Sequence, residues 1–302
     1  MRVAITALLI LLFLPAAAQL FADTRSGLVQ KVTGGEIDWE NQSVLATAEA
    51  LMPSEAEEPN RTKAHLKAKG SARTKAIANL LVAIDALPVN YAICCQDLMK
   101  NDDLLRQAIE GLVHNAEIVS DRRIQQAGES MVEVTASIPL YGAFGPGRSM
   151  LRSLVQQEKQ GRASAQVKVE TPKPFITADA PSNQKGPFSS LIIDARGFRL
   201  QKALNPRIRK PDGVEVWGSL QLDMPVLPSG VAVYMSSVDD AQQHPYSGKN
   251  PLVIRVVGRA GGAIFCDAVI TTTDADLILK ENKTSQFLDD FRVFFIVDAV
   301  SE

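Results

Sequence analysis

Apolar positions fall into two periods along the chain. From Arg61 to Leu87 alanines recur every four residues, at Ala64, Ala68, Ala72 and Ala76, and Leu80 and Ile84 continue the stripe. Ile77 and Leu81 widen it into a band at helical spacing, which predicts one long core-facing helix ended by Pro88. A second helix is predicted from about Asp102 to His114, with Leu104, Leu105, Ile109 and Leu112 facing in and Asn101 as N-cap. Period two then takes over. Ile118 to Ile124 is followed by a turn at Gly128, and Met131 to Leu140 sets Val132, Val134, Ala136 and Ile138 on one face. Upstream, Ile37, Trp39, Val44, Ala46 and Ala48 suggest a strand that turns at Asn41. Residues 36–157 therefore predict an α+β unit, a small antiparallel sheet with helices on one face, its last piece a short helix from Arg148 to Gln157.

Residues 158–187 are polar and carry Pro172, Pro174 and Pro181; apart from a brief strand candidate at Ala165–Val169 they read as an interdomain linker. Residues 188–302 read as a second, mostly β domain, with strands at Leu191–Ile193, Val214–Trp217, Val231–Tyr234, Leu252–Val257, Ile264–Ile270 and Arg292–Val297. Its one helix is predicted over about Asp274 to Asn282, capped by Thr273 with Asp276 at the third position.

The N-terminus changes the picture of where the protein works. Arg2, the apolar run Val3–Leu14 and the small residues Ala16, Ala17 and Ala18 have the three parts of a secretory signal, residues 1–18, with cleavage after Ala18 or alternatively after Ala22. The run is short of the roughly 20 residues that span a bilayer, so a retained anchor is the weaker reading. Residues 19–35 then read as a loose arm. Loss of Arg2 from a chain of 32 basic and 34 acidic residues takes the formal charge from −2 to −3. Such a chain lacks the basic footprint of a nucleic-acid binder. An aromatic fraction of 6% argues against a surface for stacking sugars or bases.

Little in the sequence carries chemistry. His65, His114 and His244 have no neighbours at metal-ligand spacing, and Cys94, Cys95 and Cys266 form no framework, so no metal or cofactor is expected. Gly145-Pro146-Gly147-Arg148-Ser149 lacks the lysine of a phosphate loop and reads as a turn. The basic residues outside the long helix's stripe (Lys63, His65, Lys67, Lys69, Arg73 and Lys75) read as a solvated face, with peripheral contact to charged lipid as the alternative. The densest constellation is Ile193-Asp194-Ala195-Arg196-Gly197, followed by Asn205-Pro206-Arg207-Ile208. In a strand, residues two apart point to the same side, so Asp194 and Arg196 should leave one face together. They are either an ion pair closing a turn, with Arg207 and Asp212 as nearest partners, or a binding site for an anion or other ligand.

The run Gly70-Ser71-Ala72-Arg73-Thr74-Lys75-Ala76-Ile77-Ala78-Asn79-Leu80-Leu81, the second helix, and a hairpin starting at Ala116-Glu117-Ile118 together resemble the lipoprotein-twenty-like domain of bacterial surface lipoproteins, over about residues 36–142. Related domains occur in outer-membrane-associated flagellar proteins. The chain departs from the lipoproteins in lacking the lipidated cysteine. From Ser190 to Asp298 it resembles a segment of uncharacterised exported bacterial proteins, in the phrases Leu191-Ile192-Ile193-Asp194-Ala195-Arg196-Gly197, Pro206-Arg207-Ile208 and Arg292-Val293-Phe294-Phe295-Ile296-Val297. The resemblance implies a non-enzymatic periplasmic or outer-membrane-associated protein that binds protein partners or assembles with itself. A ligand- or wall-binding module using Asp194 and Arg196 is the rival.

The export reading has a direct test. N-terminal sequencing of the protein recovered from the envelope should begin at Gln19; soluble cytoplasmic protein still carrying Met1 would refute it.

Overall fold

The computed structural model describes residues 28–142, 145–162, 165–171, 185–220 and 230–299. The predicted signal, the first part of the predicted arm and the three prolines of the predicted linker lie outside them. The chain opens with β1 (Val29–Val32), β2 (Gly35–Asp38) and β3 (Ser43–Leu51), followed by α1 (Arg61–Asp85), α2 (Cys95–Met99) and α3 (Asp103–His114). The hairpin β4 (Glu117–Gln126) and β5 (Glu129–Pro139) leads into α4 (Gly147–Lys159). Five antiparallel strands stand in the order β1-β2-β3-β5-β4.

The alanine stripe explains how α1 lies on this sheet. Ala64, Ala68, Ala72, Ala76, Leu80 and Ile84 are all buried, as the periodicity predicts. The facing strands are equally small: the buried β3–β5 pairs are Val44 with Ile138, Ala46 with Ala136, Ala48 with Val134 and Ala50 with Val132. Methyl-sized groups on both surfaces let the backbones approach closely. Gly34, at φ +88°, shows how tight the fit becomes, since a Cβ there would stand 2.5 Å from the Asn79 carbonyl oxygen. Asn60 caps α1 by accepting from the Lys63 amide. The basic face is largely engaged within the molecule: Lys63 and Lys67 reach Glu58, Lys69 reaches Asp121, and Lys75 reaches the Glu49 carbonyl.

Three local expectations need correction. Leu104 is 78% exposed, and α3 buries Leu105, Ile109 and Val113 instead. The cap is Asp102, whose Oδ1 accepts from the Leu105 amide at 2.9 Å, so the apolar stripe starts one position later. The predicted loose arm becomes ordered by residue 28, because β1 pairs with β2 and Leu28 is buried.

The segment read as a linker also contributes structure. α4 runs on to Lys159, and β6 (Lys168–Glu170) pairs with a strand from the other half. That half continues with β7 (Ser190–Asp194), β8 (Ile208–Arg209), β9 (Glu215–Trp217), β10 (Val233–Met235) and α5 (Val238–Gln243). A short 3-10 turn, β11 (Pro251–Arg255), β12 (Gly258–Gly261), β13 (Asp267–Val269), α6 (Thr272–Ser285) and β14 (Val293–Ile296) complete it. Thr271, rather than Thr273, caps α6: its Oγ1 accepts from the Asp274 amide at 3.1 Å. The fold is α+β with a C-terminal part made mostly of strands.

Two sheets share this second half. One is parallel, in the order β10-β14-β7-β11; the other is mixed, in the order β6-β12-β13-β8-β9. Strands in the middle of a parallel sheet are covered on both faces, which explains why Leu191–Ile193 and Val293–Ile296 are unbroken apolar runs. Leu191, Ile193, Val293 and Phe295 enter the main core, while Ile192, Phe294 and Ile296 meet Ala241 of α5 on the other side. The main core is continuous from Leu28 to Val297 and includes the edge-to-face pair Trp39–Tyr234, with ring centroids 5.4 Å apart. No helix of the described residues is long and apolar enough to cross a membrane.

The helix–sheet fit is testable by overfilling it. Ala72→Leu should destabilise by about 1–3 kcal/mol, because well-packed interfaces resist added methylenes. Lys69→Ala, on the wet flank, should stay within about 0.5 kcal/mol. Urea melts of the two variants should separate clearly; equal small effects would mean that the stripe is not the packed face.

Candidate functional site: charged clusters around the C-terminal sheets

Asp194 ends β7, and the chain turns at once through Gly197, whose φ is +84°. Asp194 and Arg196 are thus neighbours across a turn, which corrects the expectation that they share a strand face: β7 stops at Asp194 and Arg196 lies beyond it. Asp194 Oδ1 accepts the Arg196 amide at 3.2 Å and Nε at 2.8 Å, while Oδ2 accepts Arg196 Nη2 at 2.8 Å. Oδ2 also receives Arg255 Nη1 at 2.8 Å. Arg255 ends β11 directly opposite Asp194 in the parallel register, so sheet pairing delivers the second guanidinium. Arg255 further donates to the Arg196 carbonyl at 2.6 Å and lies over the Phe198 ring at 5.6 Å. Just beyond β14, Asp298 accepts the Gly197 and Arg199 amides at 2.8 and 3.3 Å. The ends of three adjacent parallel strands are tied together.

The Asp194 side chain is 11% exposed, whereas Arg196 and Arg255 are 45% and 37% exposed. Burial alone would raise the Asp194 pKa, but the hydrogen bonds from Arg196 and Arg255 outweigh it and hold the carboxyl below its ordinary value. The partners inferred from sequence proximity are not the partners found. Arg207 belongs to a different cluster, and Asp212 accepts only the nearby Val214 amide in its turn among the described contacts.

Of that other cluster the sequence reading singled out only Arg207, and with the wrong partner. Arg207 and Arg209 flank Ile208 in β8, so both side chains leave the same face. Arg207 bonds Glu158 of α4 at 2.5 Å and Glu215 of β9 at 2.9 Å, and Arg209 bonds the fully buried Asp267 of β13 at 2.7 Å. Both guanidiniums lie over the Tyr91 ring, at 5.2 and 5.1 Å. Asn90 donates to Glu158 at 3.2 Å, and the Leu204 and Asn205 amides donate to the Pro88 and Val89 carbonyls. The cluster therefore stitches the α1–α2 loop and α4 to the mixed sheet. Burial dominates its carboxylates and raises the pKa of both Glu158 and Asp267 against the pull of Arg207 and Arg209, respectively. A signal for it was present: an aspartate inside the apolar run Ile264–Ile270 needs a partner, and Arg207-Ile208-Arg209 supplies two cations at strand spacing.

The remaining candidates serve local structure. His65 accepts from Arg123, His114 bonds the Glu110 carbonyl, and His244 accepts the Tyr246 amide. Cys94, Cys95 and Cys266 are free thiols; Cys94 donates to Asp97, and the other two are buried. Among the described residues no group of three or more His, Cys, Asp and Glu is placed to hold a metal ion. A shallow cleft of about 250 Å³ lies between α1, α2 and α3, lined by Leu81, Asp85, Met99, Lys100, Arg106 and Glu110 among others. Neither Asp194 nor Arg196 borders it.

A family model described as the second domain of Treponema pallidum Tp0624 matches residues 190–299. The match begins with the first residue of β7 and ends just after β14 and Asp298, so it contains the whole parallel sheet and both arginines around Asp194. A search of curated proteins returned no match.

The two clusters should respond oppositely to pH. Asp194, with its lowered pKa, contributes stability that is present above the ordinary aspartate range and is lost as pH falls through its folded value. Asp194→Asn should cost about 2 kcal/mol at neutral pH, less than the roughly 3–5 for a fully buried pair because both arginines reach water. Its deficit should shrink in acid. Glu158, with its raised pKa, contributes stability that is complete below the ordinary glutamate range and is lost as pH rises. Glu158→Gln should therefore remove part of the decline toward neutral pH. Urea melts from acid to neutral pH check both signs.

Proposed function

We propose that this chain is a non-enzymatic exported protein of the bacterial cell envelope, periplasmic or outer-membrane-associated, with a structural or interaction role at the outer membrane or the flagellum. Its first half would serve as a lipoprotein-twenty-like domain. The observation that carries the reading is the closure of the Asp194 site. Its carboxylate accepts from two guanidiniums and a backbone amide, and so acts as a clamp on the strand ends rather than as an acid, base or nucleophile awaiting substrate. The secretory pattern at the N-terminus supports export.

A second reading has its own support. Arg196 and Arg255 are half-exposed at the carboxyl ends of a parallel sheet, the region where open α/β sheets bind ligands. A wall fragment or another anionic ligand would meet both there.

One experiment separates the readings. The tagged protein is fractionated from its host, and the purified protein is melted with and without soluble muropeptides. Recovery in the periplasmic or outer-membrane fraction, with melting unchanged by muropeptides, is the expected result. A ligand-induced rise that disappears in Arg196→Gln and Arg255→Gln would establish the binding module instead. Recovery in the cytoplasm would overturn the envelope assignment.

A further inference from the structure

β4 is the edge of the first sheet: among the described residues no strand pairs with its outer side. It is ten residues long, and only Ile118 and Ile124 are even half-buried. Long exposed edges are templates for strand addition and are usually blunted by bulges or charges. β4 carries both devices. A bulge at Val119 shifts the register between Ile118 and Ser120, and leaves Ser120–Gln126 as a regular edge. That edge contains Asp121, Arg122 and Arg123, and their arrangement is self-complementary.

The register with β5 sets the faces. Asp121 and Arg123 stand opposite the buried Val134 and Val132, hence on the side of α1, where they meet Lys69 and His65. Ser120, Arg122 and Ile124 stand opposite Thr135, Glu133 and Met131 on the open side. Residues directly opposite in an antiparallel pair must point to the same face. A two-fold axis for β4 against its own copy therefore passes through a residue. With the axis at Asp121, two aspartates face each other, each already bound by its own Lys69, and Arg123 gains no carboxylate; with the axis at Arg123, two arginines face each other, and Arg123 has no carboxylate partner among the described residues. With the axis at Arg122, each Asp121 faces the Arg123 of the other copy and each Ser120 faces the other Ile124. The two Arg122 side chains then meet, each already neutralised by its own Glu133 at 2.6 Å.

We propose that β4 pairs antiparallel with β4 of a second copy of this chain, about a two-fold axis through Arg122, joining two five-stranded sheets into one. The twofold symmetry forms each Asp121–Arg123 pair twice, so one substitution acts at two places. The pairing does not depend on where in the cell the protein works.

Sedimentation velocity over a concentration series tests this on the purified mature protein. The parent should dimerise. Asp121→Arg alone and Arg123→Asp alone each set like charges opposite one another twice, and should weaken the dimer by about tenfold or more. The double variant Asp121→Arg with Arg123→Asp restores opposite charges and should recover the dimer. Arg122→Cys places two thiols opposite one another on the axis and should give a covalent dimer on mild oxidation, which keeps the proposal testable if a charge variant folds poorly. A parent that stays monomeric, with no cross-link through Arg122→Cys, would overturn the proposal. So would a dimer indifferent to both single charge reversals.

Discussion

The complete burial of β7 is the constraint on which the second half of the molecule depends. All five of its residues are buried, and it is paired on both edges in parallel, with β14 and β11. A strand in that position cannot be solvated on either face, so both faces must be covered. The main core does this on one side and α5 does it on the other. Parallel pairing also forces each strand to return by a crossover, and α5, α6 and the mixed-sheet strands β8, β9, β12 and β13 lie within those crossovers, while β6 joins that sheet from before β7. The strand ends then come together at one edge of the sheet, where Asp194, Arg196, Arg255 and Asp298 meet.

Charge is used in this molecule to finish what apolar packing begins. At the strand ends, a mostly buried carboxylate is compensated by two arginines that keep contact with water, so the ionic pair forms without fully desolvating the cations. In the second cluster the balance is different. Glu158, Glu215 and Asp267 share Arg207 and Arg209 in a mostly buried place, with three carboxylates against two guanidiniums. Burial there raises the pKa of Glu158 and Asp267. This seam holds α4 and the α1–α2 loop against the C-terminal strands, so the two halves are joined by ionic contacts as well as by their continuous core.

The outer surfaces follow a different logic. α1 buries one stripe and satisfies most of its basic flank within the molecule, which leaves the sheet edge at β4 as a long strand edge with no pairing among the described residues. Its charges discourage indiscriminate strand addition while remaining matched to a partner of the same sequence.

What the sequence determined by itself were the elements whose burial is periodic. The alanine stripe of α1 and the alternation of β5 were legible because a helix or strand with one buried face writes its period into the chain. The runs of β7 and β14 were legible as strands for a different reason, because a short strand buried on both faces is an unbroken apolar run, though the sequence could not say that they are parallel. Short or weakly patterned pieces were not legible: β1, β8 and β12 have two to four residues each, too few to show a period, and β6 was legible only as the brief candidate at Ala165–Val169, which it overlaps at Lys168 and Val169. One-residue choices such as Asp102 over Asn101, or Thr271 over Thr273, rest on cap backbone geometry that neighbouring residues of like chemistry do not reveal. The Asp194–Arg196 pair could be read from two positions of spacing, but its real partner, Arg255, is brought in by parallel register from far along the chain. Arg207, Arg209, Glu158 and Asp267 were likewise scattered over segments that looked unrelated. Tertiary structure alone decided these contacts, because which charges meet depends on which strands lie side by side, and that is settled by the packing of the whole core.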